Sequence, residues 1–69
     1  MRIVGSRAEV NITKDEFGHR LEITRGKDVR YLRFGEHDNE SVAIDMARVF
    51  AGASDLSAET VTYLWAKLG

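Results

Sequence analysis

The hydrophobic pattern of this chain changes period once. Along Glu9–Thr13, Arg20–Thr24 and Val29–Phe34 apolar and polar residues alternate, as they do on strands whose successive side chains point to opposite faces. After Gly35 the apolar positions recur at the 3.6-residue spacing of helices. With 69 residues the chain is too short for two cores, so the strands and helices must share one. The expectation is a single α+β domain over residues 1–69: a three-stranded antiparallel β-meander followed by two α-helices packed on one face, β-β-β-α-α.

Turn residues set the register. Gly26 in Arg25-Gly26-Lys27-Asp28 suits the first central position of a type II′ turn, which demands a positive φ. A two-residue loop then places Leu21 opposite Leu32, Glu22 opposite Tyr31 and Arg20 opposite Arg33. A three-residue loop would set Leu21 against Arg33 and split the leucines, so the shorter loop is preferred. Upstream, Asp15-Glu16-Phe17-Gly18 reads as a four-residue loop that pairs Ile12 with Leu21 and Val10 with Ile23. The inner face becomes Val10, Ile12, Leu21, Ile23, Leu32 and Phe34, extended by Ala8 and Val4 if the first strand begins earlier.

Asp38 or Asn39 is placed to cap a first helix that runs to about Ala51 and stops at Gly52. Ser57 is placed to cap a second, from Ala58 to about Leu68, with Leu56 packing on Val61 as a hydrophobic staple. The first helix carries a stripe of Val42, Met46, Val49 and Phe50, which Ala43, Ala47, Ile44 and Ala51 widen past half its circumference. The second carries Val61, Leu64, Trp65 and Leu68.

Composition narrows the function. The chain holds no cysteine, so disulfides and thiolate zinc sites are excluded, and its 43% apolar and 30% charged residues are ordinary for a folded domain. No run is long enough for a signal peptide or a membrane span, which makes the cytoplasm the expected location. Net charge is −1, but it is unevenly spread: residues 1–33 hold eight Arg/Lys against five Asp/Glu, and residues 34–69 two against six. A basic sheet half and an acidic helical half favour self-association or two separate binding faces.

Residues for catalysis are scarce. His19 and His37 are the two histidines, in no spacing that reads as a metal site; His19 is expected as a partly buried edge residue of a strand. The run Glu36-His37-Asp38-Asn39-Glu40 lacks the spaced oxygens and turn glycine of a calcium loop and reads as a helix cap. Ser41, Ser54 and Ser57 fall where caps and turns belong, and no GxSxG, GxGxxG or GxxxxGK[ST] occurs. A helix-turn-helix reading of residues 43–65 fails on its long linker and on a second helix whose one base is Lys67. No catalytic, metal or cofactor-binding residues are assigned.

Surfaces remain. Ile44, Tyr63 and Trp65 are candidate protein contacts, since exposed aromatic residues concentrate binding energy, and Glu36, Asp38 and Glu40 form an acidic run able to steer a basic partner, such as a nucleic-acid-binding complex. On the outer sheet face Arg20, Tyr31 and Arg33, with Lys14 nearby, form an alternative surface for nucleic acid by stacking and phosphate contact. The expected function is a small non-enzymatic protein-binding module, an inhibitor or regulator covering a surface of a larger partner. A short frame opening on Met suits a phage-borne inhibitor of host defence, the anti-CRISPR type among them, a reading that rests on size alone. A homodimer joining basic sheet to acidic helices is a third reading.

Overall fold

The computed structural model describes residues 1–53 and 56–68. Strands β1 (Arg2–Val4), β2 (Glu9–Asp15), β3 (Gly18–Arg25) and β4 (Asp28–Arg33) form one antiparallel sheet in the order β1-β2-β3-β4. A 3₁₀ turn, Gly35–His37, leads to helices α1 (Glu40–Ala51) and α2 (Ala58–Ala66). The class is α+β as the pattern predicts, but the sheet has four strands rather than three.

The fourth strand is β1, only three residues long, and its pairing is completed by Met1, whose amino group and carbonyl both bond Ile12 (2.9 and 2.6 Å). Ile3 stands opposite Val10 and packs on the core, while Val4 stands opposite Glu9 and is 66% exposed. Val4 therefore belongs to the outer face, against expectation; Ala8 is buried as foreseen.

The two hairpins carry the predicted register throughout: Val10↔Ile23, Ile12↔Leu21, Leu21↔Leu32, Glu22↔Tyr31 and Arg20↔Arg33. Gly26 takes φ +62°, and no described residue other than glycine has positive φ, so Lys27 completes a type II′ turn. In the β2–β3 turn Gly18 takes φ +109°, and the Phe17 N–H bonds the Asp15 carboxylate at 2.8 Å.

Val10, Leu21 and Ile23 have no exposed surface, each worth about 1.5–3 kcal/mol of burial. Against them lies α1, whose fully buried positions are Ala43, Ala47 and Ala51, one per turn, with Phe50 beside them. The alanines, expected only to widen the stripe, are its centre. Small side chains let the helix backbone approach the sheet side of the molecule closely. A Cβ on Gly5 would lie 2.0 Å from the Ala51 carbonyl oxygen, and that oxygen accepts the Arg7 N–H at 3.0 Å.

Asn39 caps α1 by accepting the Val42 N–H (2.8 Å), and Gly52 ends it at φ +90°. Ser57 caps α2, which adds Val61 and Trp65 to the same core. Leu56, expected as a staple, is 43% exposed. The turn expected at Ser54 lies outside the described residues.

Candidate functional site

Both helices contribute to the core on the inner face of the sheet, which leaves the outer face and the β4 edge to solvent. The β3–β4 turn decides how that edge is built. In a two-residue hairpin the residues flanking the loop, here Arg25 and Asp28, form a hydrogen-bonded pair, and the pattern alternates from there. Asp28, Arg30 and Leu32 thus turn their N–H and C=O groups toward β3. Val29, Tyr31 and Arg33 turn theirs outward, along an edge with neither proline nor bulge.

The same three residues carry their side chains on the outer face. Val29 is 46% and Tyr31 50% exposed; Phe17, at the β2–β3 turn, is 75% exposed and meets the Arg33 guanidinium 5.8 Å from its ring centre. Val29, Tyr31 and Arg33 accordingly form one row in which open backbone and exposed side chains coincide, and the exposed Phe17 side chain extends it at the Arg33 end.

Electrostatics fix the row in place. Arg33 forks onto Asp15, with Nη2–Oδ2 at 2.6 Å and Nη1–Oδ1 at 3.1 Å. That bidentate bond, with the Phe17 N–H, holds the Asp15 carboxyl at about 2, well below its ordinary 3.8. Arg20, opposite Arg33, lies over the Tyr31 ring at 5.3 Å, and its buried Nε has no hydrogen-bond partner among the described residues. Arg2 pairs with Glu9 at 2.5 Å.

These contacts weigh on the nucleic-acid candidates. Arg20, Tyr31 and Arg33 do share one face, but Lys14 follows Val10 and Ile12 in the alternation and stands opposite His19, on the other face. Arg33 and Arg2 are already neutralised by Asp15 and Glu9, so the outer face is close to charge-balanced.

The acidic run is divided by the fold. Glu36 and Glu40 are exposed, whereas Asp38 accepts the His19 backbone N–H at 3.0 Å and meets its Nδ1 at 2.7 Å. The reason lies in strand parity. His19 turns its N–H to the β4 side of β3, as Leu21 does, but β4 ends at Arg33, and the Asp38 carboxylate takes the place of the missing strand carbonyl. Those two bonds hold the Asp38 carboxyl below its ordinary value. A Cβ on Gly18 would fall 2.0 Å from Asp38 Oδ2, so the glycine makes room for the carboxylate. Asp38 is thus a structural partner of His19 rather than a free member of the acidic run. His37 is exposed, and the described residues contain no group of three potential metal ligands.

On the helical side the three candidates part company. Tyr63 is 61% exposed, with Lys67 Nζ 4.7 Å from its ring centre. Ile44 is half-buried and packs against the core. Trp65 is only 8% exposed, so it serves the core rather than the surface. Arg30 from the inner face of β4 places its guanidinium 4.5 Å from the Trp65 ring centre and donates to the Trp65 carbonyl at 2.6 Å. Burial of the indole follows from that clamp, which ties α2 to the sheet.

No family model, curated protein or solved structure matches the chain. No described helix is long and apolar enough to cross a membrane.

Proposed function

We propose that this chain is a non-enzymatic protein-binding module, an inhibitor or regulator, and that it takes an extended segment of its partner along β4. The supporting observation is the coincidence at Val29, Tyr31 and Arg33 of outward backbone groups with exposed side chains. Natural sheets protect edges by shortening them or by adding proline, bulges or inward charge; β1 is short, while β4 runs six residues without proline or bulge, and its inward charge Arg30 is taken up by Trp65. An added strand would bond the open backbone and set its side chains against Tyr31, Val29 and Phe17. Tyr, Phe and Arg are residue types that dominate binding energy, and here Asp15 and Arg20 hold them in position beforehand.

Affinity capture with three proteins tests the reading: the native chain, a Val29→Pro/Tyr31→Glu variant and an Ile44→Ala/Tyr63→Ala variant. Loss of partners with the first variant alone supports the β4 edge. Loss with the second alone moves the site to the helices, where Tyr63, Ile44, Glu36 and Glu40 would carry it. Retention by both removes each surface.

A second reading, nucleic-acid binding, is supported by Arg20 and Tyr31, which lie together on the outer face with the guanidinium 5.3 Å from the ring centre. It requires binding to single- or double-stranded probes that weakens steeply with salt.

A further inference from the structure

We propose that a cleft at the loop-proximal end of the helical layer binds a small carboxylate with a short apolar body. Its volume is about 110 Å³. Ala8, Phe50, Val61 and Trp65, all buried core residues, form its apolar lining, and Arg7, Arg25 and Thr62 supply the polar part of the wall.

Two properties set the ligand class. The first is unspent positive charge. The described ion pairs are Arg2–Glu9, His19–Asp38 and Arg33–Asp15, so among the described residues neither Arg7 nor Arg25 meets a carboxylate. Arg25 is exposed, and its guanidinium lies 5.8 Å from the centre of the Trp65 ring, at the solvent-facing rim of the apolar lining. Arg7 is fixed at its root: its N–H bonds the Ala51 carbonyl, and its Cβ and Cγ press on Gly52, where an added Cβ would lie 2.9 Å from Cγ. A guanidinium is a planar fork matched to a carboxylate, and it is worth more beside an apolar wall than in water.

Size is the second property. At 110 Å³ the cleft is smaller than the roughly 150 Å³ of an apolar cavity that takes benzene, so it suits a branched chain of a few carbons. An apolar lining with a few converging polar groups is the usual build of a small-molecule site. Inorganic phosphate would meet the arginines but leave the Trp65–Phe50–Val61 lining wet. The cleft faces the helical side, away from the Val29–Phe17 row, so this proposal stands or falls independently of the β4 edge.

Titration of the ¹⁵N-labelled chain with isovalerate, isovaleramide and inorganic phosphate tests it. Isovalerate is expected to shift the Trp65 indole N–H and the Ala8 and Thr62 amides saturably. The uncharged amide and the Arg25→Gln variant are each expected to weaken that binding by at least about tenfold, the effect of one lost charge-assisted hydrogen bond. Arg25 is exposed, so its replacement leaves the core untouched, and Arg7→Gln provides a second variant on the other wall. Absence of saturation up to about 20 mM isovalerate, weaker than any useful site, overturns the proposal. Equal binding of isovaleramide, or phosphate binding as tightly as isovalerate, overturns it too.

Discussion

Arg20 and Arg33 stand directly opposite each other on β3 and β4, and each is engaged by a different neighbour: Asp15 takes Arg33 in a bidentate ion pair, and the Tyr31 ring takes Arg20. A like-charge cross-strand pair destabilises a sheet unless such neighbours offset it. The arrangement also pins Tyr31 and Phe17 at the open edge of the sheet, where binding is proposed.

Acid should release it. The Asp15 carboxyl is depressed from 3.8 to about 2 by Arg33 and the Phe17 N–H, and the Asp38 carboxyl is depressed by His19. A carboxylate with a lowered folded-state pKa contributes stability that is fully present above its ordinary value and lost as pH falls through the folded value. Urea midpoints of the native chain should therefore drop between about pH 4 and pH 2. Asp15→Asn combined with Asp38→Asn should flatten that fall, at the cost of lower stability at neutral pH. An unchanged slope would show that neither pair matters.

Asp38→Ala leaves the partly buried His19 N–H without its acceptor, and should destabilise the chain by about 1–3 kcal/mol. Glu36→Ala and Glu40→Ala, on exposed neighbours, should each stay within about 0.5 kcal/mol. Chemical denaturation of the three variants checks the division of the acidic run.

Proline separates the two sides of β4. Val29→Pro removes an outward N–H, and edge strands tolerate proline there. Asp28→Pro removes an N–H bonded to Arg25 and should cost about 1–3 kcal/mol more, although Asp28 is exposed. Equal costs would contradict the assigned alternation.

Gly5→Ala should be severe for a surface-loop change. Its Cβ would meet the Ala51 carbonyl oxygen at 2.0 Å, a backbone atom that cannot swing aside, so the loop or α1 must move, at a cost of about 1–3 kcal/mol or more. A thermal melt indistinguishable from the native chain would refute the close approach.

Much of this fold was legible in the sequence because its signals are local. Gly26 and the alternation around it determine the β3–β4 register, and Asn39, Gly52 and Ser57 mark helix ends. The rest depends on contacts distant in sequence. Strand β1 is too short to show a period, and rests on Met1 reaching Ile12 and Gly5 reaching Ala51. Asp38 and His19 are nineteen residues apart, with only strand parity to hint that the His19 N–H needed an acceptor. Trp65 satisfies both an apolar stripe and an interface composition, and only Arg30, reaching across from β4, decides for the core. Phe17 reads in the sequence as a turn residue, yet it is the most exposed of the large apolar side chains described.

Amide hydrogen exchange on the labelled chain, alone and with the tightest binder selected from a random-peptide library, tests the β4 edge most directly. Alone, the Val29, Tyr31 and Arg33 amides should exchange rapidly while those of Arg30 and Leu32 are protected. With the peptide bound, the first three should slow and the other two stay as they were. Slowing confined to α1 and α2, with Val29, Tyr31 and Arg33 unchanged, would contradict binding at this edge.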